Sequence, residues 1–246
     1  MTFKDHFSGH ADGYRGARPT YPDALFDWLA TQAPARDLAW DAGCGNGQAA
    51  FALSAHFARV VATDPSASQI ANAETKPNID YRVELAERGS LADASADLVT
   101  VAQALHWFDL DLFYAEVRRV LKPRGLFAAW TYGDCHVDAA VDGVKDRLYV
   151  DLTGPYWPPE RAHIETGYRD LPFPFIELAV PRFAMRTQWT VEQFLAYLRS
   201  WSASQRYLKA TGEDPVSLIE CDLRGTWGNN GRRDVCWEFH LRCGRS

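Results

Sequence analysis

The first half of the chain alternates between short apolar runs and amphipathic segments. Apolar, β-branched runs that end at polar residues predict buried strands, whereas apolar residues at three- and four-residue spacing predict helices. Strands are predicted at residues 38–40, 59–64, 79–84, 96–105 and 126–132. Helices are predicted at residues 22–32, from Gln48 onwards, at 66–74 and at 110–121. This alternation predicts an α/β fold with a doubly wound parallel sheet.

The pattern changes after Tyr132. The loop TGPYWPPER (153–161) and two strand-like runs, FIELAV and RFAMRTQW, come before a helix at residues 190–201. Thr190 and Gln193 have the spacing of a capping box at the start of that helix. A further helical stretch at residues 215–223 and a terminal strand at residues 234–242 complete the chain.

A glycine-rich turn joins the first predicted strand to its helix in WDAGCGNGQ (40–48). Glycines permit backbone torsions closed to other residues, and without a Cβ they let a ligand lie directly on the main chain. Asp64 ends the next strand, 23 residues after Asp41, where the hydroxyls of a ribose would be held. The glycine turn and Asp64 together predict a nucleotide-binding site. The alternative is a glycine turn that binds no ligand.

The spacing of the glycines narrows the choice of nucleotide. A dinucleotide fingerprint has the form G-x-G-x-x-G, whereas this loop reads G-x-G-x-G with Asp41 two residues before it. An acid at that position would repel a diphosphate but could hold an ammonium group, directly or through water. No G-x-x-x-x-G-K-[ST] motif is present, so a P-loop is excluded.

The chain resembles the class I S-adenosylmethionine-dependent methyltransferases from about Trp40 to Tyr132. Four motifs carry the resemblance: DAGCGNG, the acid that ends VVATD, the AE before DASADLV, and LKPRGLF. The resemblance implies S-adenosyl-L-methionine as cofactor and a Rossmann-like seven-stranded sheet. It further implies a methionine cradle built from Asp41, Gly43, Cys44, Gly45 and Gly47.

The same resemblance assigns the rest of the cofactor site. Asp64, followed by Pro65, would bind the ribose hydroxyls, and Gln103 would lie beside the methionine portion. The backbone of Ala86 and the side chain of Glu87 would reach the adenine edge. Many members of the family carry an acid at the position of Leu85, so the resemblance assigns no residue of that kind to the adenine amino group here.

A narrower resemblance extends to nearly the whole chain. FSGHADGYRGARPTYP, AQALHWFD, LPFPF and LRSWSASQRYLKATGEDP are similar to the subgroup that includes fungal trans-aconitate methyltransferase. This resemblance implies a lid arm and first helix at residues 1–30 and an S-adenosylmethionine-binding core at residues 31–133. Residues 134–246 would form a small helical, aromatic substrate cap and the final strands of the sheet.

Methyl transfer from a sulfonium is an in-line displacement that depends on proximity, orientation and the exclusion of water. The glycine-containing N-terminal arm is therefore expected to close as a lid, although a disordered tail has the same composition. His106 follows the fourth strand and is a candidate catalytic base, or a wall of the pocket.

A carboxylate acceptor would need an arginine, for which Arg18, Arg199 and Arg206 are candidates. The predicted substrate-binding residues are Tyr14, Arg18, Tyr21, His106, Trp107, Trp201 and Arg206. The acceptor itself is not revealed by the sequence.

Composition restricts the partners. The formal net charge is -6, and Lys and Arg are scattered, so nucleic acid and anionic membranes are not expected as partners. Five cysteines without a CxxC pair predict reduced thiols and no metal site. We expect a cytoplasmic enzyme, monomeric or homodimeric, that acts on a small-molecule acceptor. A nicotinamide-dependent oxidoreductase and a non-catalytic nucleotide-binding module are the alternatives.

Overall fold

The computed structural model describes residues 18–229 and 231–245, which form one sheet with helices on both faces. The strands are β1 (Leu38–Ala42), β2 (Arg59–Asp64), β3 (Ile79–Val83), β4 (Ala96–Ala102), β5 (Leu121–His136), β6 (Ile176–Glu177), β7 (Met185–Trp189) and β8 (Arg233–Arg245). The helices are α1 (Asp23–Gln32), α2 (Gln48–Leu53), α3 (Ala67–Ala71), α4 (Leu110–Val120), α5 (Ala139–Asp146), α6 (Arg161–Glu165), α7 (Val191–Arg199), α8 (Ser202–Thr211) and α9 (Glu220–Trp227).

The sheet has the order β3-β2-β1-β4-β5-β8-β6, with β7 also paired to β8. The first five strands of this order are parallel, and β8 is antiparallel to β5. β6 and β7 both pair with the edge of β8 that faces away from β5, at opposite ends of that strand. The predicted class I fold is confirmed: the sheet is seven positions wide, and two short strands share the last position.

The central strands are buried because helices cover both faces of the sheet. Ala39 packs with Leu25 of α1 and Leu53 of α2 on one face. The next residue, Trp40, packs with the residues of α4 on the other face. Alternate side chains of a strand point to opposite faces, so a parallel sheet covered on both sides needs an apolar run rather than an alternating pattern.

A third apolar cluster lies in the second half of the chain. β5 runs to His136, four residues beyond the predicted end at Tyr132, and pairs there with the start of β8. Helices α5, α7 and α9 pack against this part of β5 and β8, in a cluster that includes Tyr132 and Trp237. The capping box of Thr190 and Gln193 is confirmed at the start of α7. These helices and the segment between α5 and α7, called the cap, therefore lie around the extended carboxyl end of β5.

None of the helices within residues 18–229 and 231–245 combines the length and the apolar character that a membrane span requires.

Candidate active site

The order of the strands reverses between β1 and β4, which are neighbours in the sheet although two strands separate them in the chain. Loops that leave the carboxyl ends of such strands diverge and open a crevice, which is where open α/β sheets bind ligands. The glycine loop after β1 and the short 3₁₀ turn after β4 (Leu105–Trp107) lie at this position. Seven of the predicted site residues lie in these two connections: Gly43, Cys44, Gly45, Gly47, Gln103, His106 and Trp107.

The glycine loop needs its glycines for both conformation and space. Gly43, Gly45 and Gly47 have φ of +67°, +54° and +81°, in the left-handed region that other residues rarely adopt. A Cβ on Gly47 would lie 2.2 Å from the hydroxyl of Tyr81, and one on Gly43 would lie 2.8 Å from the ring of Phe108. Cys44, between them, is buried and donates its backbone N–H to the Thr63 carbonyl at 3.0 Å.

Asp64 ties this loop to the next strand. One carboxylate oxygen accepts the N–H of Gly45 at 2.9 Å, and the other accepts the N–H of Ser66 at 2.8 Å. Ser66 then caps α3, and Pro65 lies half-buried between the two polar residues. Sequence reasoning gave Asp64 a role in ribose binding but missed its role in holding the glycine loop.

Asp41 is fully buried. One carboxylate oxygen accepts a hydrogen bond from the Thr100 hydroxyl at 2.9 Å, while the other accepts none of normal geometry from the described residues. Burial raises the pKa of Asp41 to about 7, and the charge of Asp64 adds to this effect, against the opposing hydrogen bond from Thr100 and the backbone of Ala50. A buried carboxylate with an oxygen to spare fits a role in holding a cationic amino group.

The predicted adenine side of the site lies between β3 and α4. Ala86 is buried, and the Glu87 carboxylate accepts the backbone N–H of Asp109 at 3.0 Å. This contact joins the loop after β3 to the start of α4. Leu85, in the same loop, is 46% exposed.

Gln103 follows β4 with a φ of +57°, unusual for a residue with a side chain. Its amide donates from Nε2 to the Tyr132 carbonyl at 3.0 Å, and its Oε1 accepts from the Thr131 hydroxyl. The side chain is therefore held against the end of β5 with its orientation fixed. The local sequence gave no sign of these contacts.

A cleft lies between the 3₁₀ turn after β4, the end of β5 and the cap, and it is called the acceptor cleft because the sequence predicts acceptor-binding residues here. Its lining residues are Arg18, Gln103, His106, Trp107, Tyr132, Gly133, Trp157, Pro158, Arg161, Ile164, Tyr197, Trp201 and Ser202. Five of the predicted site residues meet here: Arg18, Gln103, His106, Trp107 and Trp201. Sequence reasoning missed Arg161 and Trp157, although TGPYWPPER carries an unusual density of aromatic and proline residues that could have indicated them.

His106 is in contact with a residue far along the chain, since its Nδ1 lies 2.8 Å from the hydroxyl oxygen of Tyr168. Burial lowers the pKa of His106 to about 3, and the charges of His163 and Arg161 lower it further. Its imidazole is consequently neutral at physiological pH and a weak base.

The candidate arginines differ in their surroundings. Arg18 donates to the Tyr132 hydroxyl at 3.5 Å and to the Ser200 carbonyl at 3.3 Å, at one wall of the acceptor cleft. Arg199 instead forms ion pairs with Asp214 at 2.7 Å and Glu220 at 2.6 Å. Arg199 is therefore committed elsewhere.

Three other predicted substrate-binding residues are not found among the lining residues of the cleft. Arg206 is half-buried on α8. Tyr21 packs edge-on against Trp130, with 5.5 Å between ring centroids, and also contacts Tyr132. Tyr14 lies outside the described residues.

Comparisons with known proteins identify the family of this chain. A family model for the methyltransferase domain matches residues 40–129. A protein of Dictyostelium discoideum, proposed to be a methyltransferase, is 36% identical over 224 residues, which are 89% of this chain and 84% of the relative. An uncharacterized methyltransferase of Mycobacterium bovis is 32% identical over 72% of this chain and 76% of its own length.

A solved structure gives the same result for the fold. The protein, proposed to be a type II methyltransferase of Anaeromyxobacter dehalogenans, is 49% identical and superposes with a TM-score of 0.86. The match covers 93% of this chain and 97% of that chain. The nicotinamide-dependent oxidoreductase and the non-catalytic module are therefore set aside, and the narrower resemblance to trans-aconitate methyltransferases stays a prediction. By its fold, its glycine loop and these relatives, the chain belongs to the class I S-adenosylmethionine-dependent methyltransferases.

Proposed function

We propose that this enzyme methylates a carboxylate oxygen of a small-molecule acceptor bound in the acceptor cleft, beneath an N-terminal arm that closes as a lid. S-adenosylmethionine supplies an electrophilic methyl group, whose transfer to the carboxylate gives a methyl ester and S-adenosylhomocysteine. The remaining tasks belong to residues of this chain: binding both molecules, aligning them, and keeping water out.

The cofactor site fits the molecule that the family uses. Asp41 has the unpaired buried oxygen that an amino group would satisfy, and in the following loop the backbone of Gly45 is open, since an added Cβ would have no neighbour closer than 3.9 Å. Asp64 ends β2 with its carboxylate bound to the backbone of the glycine loop, the position at which this family holds the ribose hydroxyls. Gln103 is fixed at the point where the cofactor site meets the acceptor cleft.

The charge of the acceptor cleft is the observation that carries the proposal. Its described lining residues include Arg18 and Arg161 and no Asp or Glu, in a chain whose net charge is -6. A cleft lined by one sign of charge concentrates ligands of the opposite sign. Aromatic side chains supply most of the remaining walls, and they suit an acceptor with an apolar body.

The state of His106 favours a carboxylate over a hydroxyl group. A hydroxyl acceptor must lose its proton during the reaction, and an effective general base has a pKa near the working pH. The pKa of His106 is lowered to about 3, which makes it a poor base for that purpose. A carboxylate is already an anion and needs no base.

The end of the N-terminal arm is anchored beside the glycine loop, which supports the role of a lid. Gln48, the first residue of α2, donates its side-chain amide to the Pro19 carbonyl at 2.8 Å. Arg18, next to it, reaches the acceptor cleft. Residues 1–17, which would form most of the lid, lie outside the described residues.

Incubation with labelled S-adenosylmethionine and matched carboxylic acids, phenols and amines tests the proposal. We expect methyl esters and stoichiometric S-adenosylhomocysteine from the acids alone. Methylation confined to phenols or amines would contradict it. Deletion of residues 1–17 is expected to reduce turnover more than cofactor affinity, and unchanged turnover would argue against a lid.

A further inference from the structure

We propose that Arg161 is the residue that selects the acceptor, by binding the carboxylate of an acid with a flat, apolar body in the acceptor cleft. This inference rests on the proposed function and assigns its substrate recognition to the cap. The sequence analysis did not single out Arg161, which is the last residue of the loop TGPYWPPER.

The guanidinium of Arg161 is clamped by aromatic side chains. Its central carbon lies 4.7 Å from the ring centroid of Trp157 and 5.6 Å from that of Tyr149. Its Nε donates to the Tyr149 hydroxyl at 3.2 Å, and that hydroxyl donates to Glu165 at 2.9 Å. Stacking and a directed hydrogen bond fix the plane of the guanidinium, so little freedom is left to lose when a ligand binds.

The two terminal nitrogens of Arg161 take part in none of the hydrogen bonds or ion pairs found among the described residues, although Arg161 is half-buried and lines the cleft. Other arginines of comparable exposure are different: Arg119 pairs with Glu116 and Asp93, and Arg199 pairs with two acids. The fork of terminal nitrogens matches the two oxygens of a carboxylate. Arg161 thus has the shape, the charge and the spare donors for an acceptor anion.

The surroundings of Arg161 determine the shape of that acceptor. Tyr149, Trp157 and Trp201 pack on one another, with ring centroids 4.9 to 5.6 Å apart. Tyr149 reaches this cluster from a π-helical turn (Arg147–Leu152), a local distortion that often occurs at functional sites. Packed rings form rigid, flat walls, which favour an aryl or alkenyl acid over a bulky or polyhydroxylated one.

Three variants and paired ligands test the proposal. Arg161→Gln removes the charge, Arg161→Lys keeps the charge without the fork, and Arg169→Gln is the control. Arg169 lies on the same segment, is exposed, and its Nε donates only to the Thr166 carbonyl. The probes are benzoate and cinnamate with their amides, titrated calorimetrically in the presence of S-adenosylhomocysteine and then assayed for methyl transfer.

We expect Arg161→Gln to weaken binding of the acids about 10- to 100-fold and to leave binding of the amides within about twofold. Arg161→Lys should give a smaller loss, and Arg169→Gln none. Cofactor affinity should be the same in all three variants, which shows that they are folded. If the wild-type enzyme takes the acids and Arg161→Gln behaves like Arg169→Gln, the inference is wrong while the proposed function stands. If the wild type takes amides or phenols and no acid, both are wrong.

Discussion

The imidazole of His106 and the phenol of Tyr168 meet at 2.8 Å across 62 residues of chain, one from the turn after β4 and the other from the segment after α6. Tyr168 is fully buried and has a φ of +63°, and the preceding Gly167 lies directly against the ring of His240. Gln103 and Tyr168 are two of the four non-glycine residues with positive φ in the described part of the chain. Gln103 lines the acceptor cleft, and Tyr168 contacts His106, which also lines it. Backbone strain of this kind persists where the surroundings enforce it, commonly at functional sites.

The first prediction concerns the pH dependence of turnover. Because burial lowers the pKa of His106 to about 3, kcat with a carboxylate acceptor should show no ionisation of this residue between about pH 5 and 8. His106→Asn should therefore change the rate for a carboxylate little and leave the shape of the profile unchanged. Steady-state kinetics across this range checks both points. An inflection near the ordinary histidine pKa that disappears in His106→Asn would show that the imidazole titrates during turnover.

The second prediction concerns stability in acid. Below the ordinary histidine pKa of 6.5 the unfolded chain binds a proton at His106, whereas the folded protein does not until the pH approaches 3. The folded state therefore loses stability from this residue as the pH falls from about 6.5 towards 3. Urea titrations at several pH values measure the free energy of unfolding. In His106→Asn this free energy should fall less steeply between about pH 6.5 and 3 than in the wild type. His136→Asn, at an exposed position, serves as the control, and identical pH slopes in the two variants would contradict the prediction.

The third prediction concerns Asp41, whose pKa is raised by burial to about 7 from 3.8. Between about pH 4 and 7 the folded protein keeps a proton that the unfolded chain has released, so stability falls as the pH rises through this range. Asp41→Asn should remove that loss and stabilise the ligand-free protein at pH 8 by roughly 1 to 3 kcal/mol.

The same substitution should act in the opposite direction on ligand binding. An amino group beside Asp41 favours the charged carboxylate, so S-adenosylmethionine should bind more tightly as the pH rises through 7, with release of up to one proton. In Asp41→Asn the affinity should fall about tenfold or more and its pH dependence should flatten. Calorimetry in buffers of different ionisation enthalpy measures the proton release. Proton release that is the same in wild type and variant would contradict the assignment.

The sequence predicted the parts of the molecule that local patterns determine. The glycine loop, Asp41 and the alternation of strands and helices follow from the conformational freedom of glycine and from burial of the sheet on two faces. It did not predict the partners of these residues. The contact of Gln103 with the end of β5 spans 29 residues, and that of His106 with Tyr168 spans 62, so neither leaves a periodic signal in the chain.

The cap was the least predictable region for the same reason. The segment that carries Trp157, Arg161 and Tyr168 consists of short turns and a five-residue helix, and its structure is set by packing against other parts of the protein. Arg199 illustrates the same limit: the sequence named it as a candidate partner of a carboxylate acceptor, and gave no sign of the two acids from later in the chain that pair with it.

The fourth prediction tests the glycine loop. Gly47→Ala forces a side chain into a left-handed conformation and places its Cβ 2.2 Å from the Tyr81 hydroxyl. The loop must shift, so affinity for S-adenosylhomocysteine should fall by more than about tenfold, with a lower Tm. Gly133→Ala is the matched control, because Gly133 lines the acceptor cleft, has no positive φ and has no neighbour within 4 Å of an added Cβ. Equal affinities in the two variants would show that the loop does not contact the cofactor.

The fifth prediction separates the two roles of Asp64. Its carboxylate accepts the backbone N–H groups of Gly45 and Ser66, so Asp64→Ala should weaken cofactor binding by about 1 to 3 kcal/mol even if it makes no ribose contact. S-adenosylhomocysteine and its 2′-deoxy analogue distinguish these cases. If Asp64 binds the ribose, the wild type should prefer the hydroxylated ligand and Asp64→Ala should lose that preference together with affinity. If the variant binds both ligands more weakly but keeps the preference, Asp64 only anchors the glycine loop. Loss of the anchor weakens binding of both ligands equally, whereas loss of a ribose contact weakens only the ligand that has the hydroxyl.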